Sequence, residues 1–387
     1  MLAKHVDYVR ICPECTGLAL TGVLSPMALF VDPSTHKQTP ESIEGYLSRT
    51  VVGQDDAKRM LAIAAWQHMH RRSLPEARRS HLPKNNVLII GPTGTGKTLM
   101  LETLAQLLDV PMVTFDTSTV TKAGYVGAKA EQCVYNLIAA AGSLEKAEFG
   151  IIHLDEVDKI RRMRGLDGDV GGEAAQQSFL KILEGMTLLV ERMNKESKVE
   201  KVPFSTKNIL FVATGAFPDL YEKHSQAGRS SAIGFTADYT KGSGPVLTEV
   251  TSEQLTAFGM ISEFTRRLPS IALMQPLAVA DLANIIRLST HSPVEQYSQM
   301  LATMGVETEW CSDFIEEVAR RAHAKHLGAS GIASVLEHSF RDLLFTLPGL
   351  VHRHGGKLKL TFTAEFLDDG KPHIDTGTAT ASGDVHT

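Results

Sequence analysis

Residues Gly91 to Thr98 read Gly-Pro-Thr-Gly-Thr-Gly-Lys-Thr. They satisfy the pattern G-x-x-x-x-G-K-[ST] at each fixed position. Glycines there let successive backbone N–H groups crowd an anion, and a helix that begins at the lysine adds positive potential. The chemistry implied is polyphosphate binding. Gly91, Pro92, Thr93, Gly94, Thr95 and Gly96 make the cradle, Lys97 reaches the outer phosphates, Thr98 offers a hydroxyl to Mg²⁺, and Leu99 carries the site into the helix. Further on, the apolar run Ile151-Ile152-His153-Leu154 ends in Asp155-Glu156. A carboxylate at a strand tip downstream of a phosphate loop can hold Mg²⁺ through water, and its acidic neighbour can polarise an attacking water. Alone, such a tip is often only a sheet edge meeting solvent; its place after the octet makes it chemical. Ala213-Thr214-Gly215 ends another apolar run. Thr214 can touch the terminal phosphate or the water there, or simply cap a strand end. Arg266 and Arg267 stand side by side. Paired arginines most often form a solvated face, and spacing alone assigns them no part in catalysis.

These residues need strands that end together and a helix that starts at the loop. Short apolar runs predict strands at 86–90, 112–115, 150–154 and 208–213, and Leu99 to Leu108 has helical spacing. Strands alternating with helices imply an α/β fold with a mainly parallel sheet covered on both faces. Residues 41–72 read as helical, interrupted at Val51-Val52-Gly53-Gln54. Residues 225–250, rich in Gly, Ser and Thr, read as an exposed loop. From Leu277 to about Leu347 the pattern is helical, with a strand at Lys357 to Phe362. The expected organisation is a turn-rich segment over 1–40, a large α/β domain over 41–275, a smaller, mainly helical α+β domain over 276–366, and a disordered polar tail over 367–387.

The 387 residues suffice for two cored domains, and the net charge of -5 provides no broad basic field for nucleic acid. No apolar run reaches the ~18 residues of a membrane span. The N-terminus lacks the charged-then-apolar layout of a secretory signal. Four cysteines in a chain of this length do not suggest a disulfide scaffold. A reducing, cytoplasmic setting is the expectation.

In motif order the chain resembles the ClpX-type family of AAA+ protein-unfolding ATPases, over roughly residues 38–365. The segments that carry the likeness are Val51-Val52-Gly53-Gln54, the phosphate loop, Gly124-Tyr125-Val126-Gly127, Leu154 to Ile160, Gly172 to Gln177, Ile233-Gly234-Phe235, Glu263 to Pro269 and Gly328-Ala329-Ser330-Gly331. The resemblance implies a P-loop AAA+ domain followed by a small domain, with ATP and Mg²⁺ as cofactors. It further implies a homo-hexameric ring that threads protein substrates through a central pore, delivering them to a ClpP-type peptidase. By the same resemblance, Val51 and Val52 pack on adenine, Tyr125 and Val126 form a substrate-gripping pore loop, and Ile233, Gly234 and Phe235 dock on the peptidase. Arg267 reaches a neighbouring subunit's γ-phosphate. Plain alternatives stand beside these: Tyr125 as a half-buried strand residue, and Ile233 to Phe235 tucked onto their own core.

Two departures bear on function. The family's small-domain sensor arginine falls at Ser330 and a second arginine at Ala333. A serine cannot bridge to phosphate as a cation; Arg321 and Lys325 on the preceding predicted helix are candidate substitutes. The family's N-terminal zinc domain has two Cys-x-x-Cys pairs, and here only Cys12 and Cys15 remain. Two thiolates do not close a structural zinc site. A metal-free remnant is expected, with zinc inside one chain or shared between chains as alternatives. Other functions are an ATP-binding remodeller or regulatory subunit with weak hydrolysis and no peptidase partner, and a nucleic-acid motor using Arg161, Arg162 and Arg164. The acidic balance argues against the motor.

Overall fold

The computed structural model describes residues 38–79, 81–120, 129–162, 170–193, 199–222, 247–289, 292–354 and 358–375. Its frame is a parallel five-stranded sheet in the order β2-β3-β6-β1-β7. The strands are β1 (Val87–Ile90), β2 (Met112–Asp116), β3 (Ile151–Asp155), β6 (Leu210–Gly215) and β7 (Ser270–Leu273). Side chains alternate between faces along each strand. Leu88, Ile90, Ile152, Leu154 and Phe211 therefore enter one apolar core, and Val87, Ile89, Ile151, Leu210 and Val212 enter the other. Burial on both faces is why the inner strands β1, β3 and β6 are apolar runs rather than alternating ones.

The second core is closed by α1 (Pro40–Leu47), α2 (Asp55–Ser73) and α3 (Lys97–Leu108). In α3 the residues Met100, Leu101, Leu104, Ala105, Leu107 and Leu108 are buried. That spacing lays one apolar stripe on the sheet and fixes the start of the helix at the end of β1. On the other face lie α4 (Gln132–Ala141), α5 (Val170–Glu184), α6 (Ser252–Phe258) and α7 (Ser262–Arg266), together with an antiparallel hairpin of β4 (Thr187–Met193) and β5 (Val199–Ser205). The hairpin and β7 are absent from the sequence expectation. The hairpin strands mix charged with apolar residues and β7 has only four residues; β7 takes its place by pairing with β1, Val87 opposite Ser270.

A third core draws only on residues from Leu277 to Leu367. It is built by α8 (Val279–Leu288), α9 (Pro293–Ala302), α10 (Ser312–Ala324) and α11 (Ser330–Arg353) against a sheet ordered β10-β9-β8, of β8 (Val306–Trp310), β9 (Leu358–Phe362) and β10 (His373–Asp375). Trp310, Phe314, Phe340, Phe362 and Phe366 meet at its centre, with centroid spacings of 4.4 Å for Trp310–Phe362 and 4.8 Å for Phe340–Phe366. A disordered tail was expected over 367–387; residues 367–375 are ordered in part, and 376–387 lie outside the described residues. β10 extends the sheet antiparallel to β9, so this polar stretch gains a ladder of backbone bonds. Gln275 joins the two parts: its backbone N–H donates to Gln54 Oε1 at 2.8 Å, Gln54 Nε2 donates to its carbonyl at 2.8 Å, and its own amide bonds Leu247.

Candidate functional site

The carboxyl ends of β1, β3 and β6 open onto a cleft of about 450 Å³. It is lined by Thr93, Gly94, Gly96, Lys97, Thr98 and Leu99 from the loop, Asp155, Glu156, Asp158 and Lys159 from the turn after β3, Gly215 and Ala216 after β6, and Ala329 and Ser330 at the start of α11. The size suits a small ligand, and ends of parallel strands are where such sheets bind ligands.

The loop is held by its own atoms. Thr95 is buried and its hydroxyl donates to Pro92 O at 2.9 Å. Lys97 Nζ donates to Gly91 O at 2.7 Å and Pro92 O at 2.9 Å. Burial pushes the Lys97 ammonium down from its ordinary pKa, against the opposing pull of Asp155 and Asp158. A desolvated cation with only carbonyls as partners gains from an anion placed beside it. Helix α3 starts at Gly96 without a side-chain cap. Its first amides are thus left for whatever occupies the cleft.

Across from the loop, Asp155 Oδ1 accepts from the Thr214 hydroxyl at 2.5 Å and from the Glu156 N–H at 2.9 Å. Glu156 has φ +56°, a left-handed backbone that turns its exposed side chain out at the strand tip. Such a conformation in a non-glycine residue costs on the order of 1 kcal/mol and gathers at functional sites. Thr98 and Asp155 present hydroxyl and carboxylate oxygens to one cleft, hard donors of the kind Mg²⁺ takes beside phosphate and water. The donor set therefore fits the metal.

Thr214, expected at the phosphate, is completely buried and engaged with Asp155 and His153. Gly215 and Ala216 line the cleft in its stead. His153 escaped notice in the sequence, although a lone histidine inside an apolar strand was the available signal. Burial, then the neighbouring Lys97 charge, hold His153 down at about 4 against the pull of Asp155. Asp158, also unremarked, is buried and accepts from Phe217 N at 3.3 Å. Val51 is buried behind the loop, 3.8 Å from where a Cβ on Gly96 would stand; Val52 is half-buried beside it.

Arg267 lies away from the cleft, half exposed, with Nη2 2.6 Å from Glu184 Oε1. Asn86, at the start of β1, holds its backbone by donating to Arg267 O at 2.9 Å. Ser330 does line the cleft, but its candidate substitutes do not. Arg321 bonds Glu317, the Leu367 carbonyl and Asp368, and Lys325 donates to Ser334 Oγ at 2.8 Å. Among the described residues, the cations on the cleft wall are Lys97 and Lys159. Two of the three basic-cluster arginines have acidic partners: Arg161 pairs with Asp219 at 2.7 Å and Arg162 with Glu173 at 3.6 Å. Tyr125, Val126, Arg164, Ile233, Gly234, Phe235, Cys12 and Cys15 lie outside the described residues. Among the described residues, no group of three or more His, Cys, Asp or Glu is placed to hold a metal, and no helix is long and apolar enough to cross a membrane.

Residues 82–271 match the AAA domain (Cdc48 subfamily). The chain is 37% identical over 334 residues to "ATP-dependent Clp protease ATP-binding subunit ClpX 3" of Methylococcus capsulatus, covering 80% of this chain and 76% of that one. It is 36% identical to the ClpX 2 subunit of Wolinella succinogenes (82% and 80% covered) and 34% identical to the ClpX subunit of Porphyromonas gingivalis (88% and 87%).

Proposed function

The chain belongs to the ClpX family of AAA+ ATPases, and on that premise we propose an ATP-dependent protein unfoldase that serves a ClpP-type peptidase. The observation that carries it is one cleft shared by the phosphate loop, the Asp155-Glu156 tip and the start of α11. The loop amides and Lys97 bind the polyphosphate of ATP, with Val51 and Val52 against the adenine. Thr98 and Asp155 hold Mg²⁺, which when bound neutralises charge on the phosphate oxygens. Glu156 orients the attacking water and accepts its proton. Transfer of a phosphoryl group asks little covalent chemistry of the protein, so these placed charges supply the catalysis. Arg267, exposed and remote from its own cleft, serves the cleft of the next subunit, which requires a ring of identical chains. Tyr125 and Val126 grip substrate polypeptide in the pore, and Ile233, Gly234 and Phe235 dock on the peptidase. Cys12 and Cys15 stay without zinc, and the protein works in the cytoplasm without nucleic acid or membrane.

Phosphate release by the assembled protein, together with loss of signal from a tagged fluorescent substrate, tests this. Glu156→Gln should keep nucleotide binding and lose turnover by about 10²-fold or more, the size expected for removing a catalytic base. Turnover unaffected by that change would exclude Glu156 from hydrolysis.

A further inference from the structure

The hydrogen bonds behind Asp155 run in one direction only. Its Oδ1 lies 2.5 Å from the Thr214 hydroxyl. The Thr214 hydroxyl is the donor, so its single hydrogen is committed. His153 Nε2 stands 2.8 Å from the same Thr214 oxygen and must donate to it. This holds whether or not the ring carries a second proton. On the far side, His153 Nδ1 and Thr114 Oγ1 are 3.1 Å apart, Thr114 being the register partner of His153 on β2. The chain therefore crosses from β2 through β3 to β6 and back to the tip of β3. His153 and Thr214 are both wholly buried. The bond between these two is sealed from water, and each donor along the chain polarises the next.

The consequence is an asymmetric carboxylate. Every hydrogen bond of the Asp155 side chain among the described residues falls on Oδ1, from Thr214 and from the Glu156 amide. Oδ2 is left over. We propose that His153 and Thr214 are positioning residues: they pin Oδ1 and so present Oδ2 to the nucleotide-bound Mg²⁺ or to a water on it. This rests on the reading of the cleft as a magnesium–nucleotide site. Groups behind a ligand that fix its rotation commonly govern metal affinity by 10–100-fold. A merely structural role would differ. His153 in a core needs partners of its own, but that need would be indifferent to the metal.

The test uses the full chain with a slowly hydrolysed ATP analogue and Mn²⁺ as the probe, its binding followed by paramagnetic resonance. Thr214→Val keeps shape and removes the donor. It should weaken Mn²⁺ binding to the analogue complex about tenfold or more, while analogue affinity in chelator stays within twofold. Thr214→Ser restores the hydroxyl and should recover Mn²⁺ affinity to within about threefold of the parent. His153→Phe leaves the hydroxyl but takes away the group that aims it; a loss of threefold or more is expected. Parent-like Mn²⁺ affinity in Thr214→Val overturns the assignment, and the same result in His153→Phe does so even if Thr214→Val does not fold. A parent protein that binds no Mn²⁺ with the analogue overturns the magnesium–nucleotide reading itself, whereas a binding parent with an indifferent Thr214→Val overturns the positioning role alone.

Discussion

Substituting Gly328 by alanine should pry the small domain from the phosphate loop. Gly328 precedes α11 with φ +56°, and a Cβ built on it would stand 2.6 Å from Gly94 O and 2.9 Å from Thr93 O. Real side chains do not come under 3.0 Å to backbone atoms. Gly94 mirrors the contact: at φ +76°, its Cβ would lie 2.1 Å from Leu327 O. Two glycines thus let two backbones touch, and the Ala329 N–H donates to Gly94 O at 2.8 Å. Alanine in a left-handed conformation costs about 1 kcal/mol relative to glycine. Relieving the clash needs a retreat of roughly half an ångström, which carries the amide bond past the ordinary range. That forfeits about 1 kcal/mol more. Together the closed junction weakens by about 2 kcal/mol, a factor of roughly 30. Hydrogen exchange at the Ala329 amide reads this directly, since it reports the free energy of local opening. Protection should fall by that factor, with the third core intact. Gly349→Ala is the control: nothing lies within 4 Å of its Cβ, so Ala329 exchange should not change. Unaltered Ala329 protection in Gly328→Ala would refute the claim that this backbone contact joins the domain to the loop.

Two further outcomes follow from the geometry. Arg267→Ala removes an exposed pair with Glu184, which contributes at most about 1 kcal/mol. The melting midpoint should barely move, yet turnover of the assembled ring should fall about 10³-fold; Glu184→Gln, which breaks the pair but keeps the arginine, should retain turnover, and equal loss in both would remove Arg267 from catalysis. His68 is buried with Nε2 2.9 Å from Phe149 O, and burial above all, with Lys84, Arg71 and Arg72 nearby, holds it at about 4 rather than 6.5. The unfolded chain then binds more protons between those values, so stability is complete above pH 6.5 and drains away as pH falls toward 4. From pH 7 to pH 5 this group alone costs about 2 kcal/mol. Urea unfolding of His68→Gln should show a pH loss smaller by that amount, and an unchanged loss would contradict it.

Much of the machinery was legible in one dimension because it is local. The octet Gly91–Thr98 is contiguous, and its backbone geometry follows from its own glycines and from the apolar stripe of α3. Strand tips bearing Asp155 and Thr214 could be read because strands buried on both faces are unbroken apolar runs. The hairpin β4–β5 was not legible: Val199 to Ser205 sets Glu200 beside Lys201 and holds Pro203, and it becomes a strand only when paired with Thr187 to Met193. Strand β7 likewise has no signature apart from its place beside β1.

The chain's residue order by itself determined a phosphate-loop motif at Gly91 to Thr98, the carboxylate pair Asp155-Glu156 at the end of an apolar run, and a serine rather than an arginine at residue 330. Tertiary structure alone decided what supports them. It set Thr214 on Asp155, put His153 behind it, bound Arg321 to Asp368, and brought Gly94 against Gly328. Each of these depends on which elements become neighbours and on how closely two backbones can approach, and a hydrogen bond with about half an ångström of tolerance is settled by packing, not by spacing along the chain.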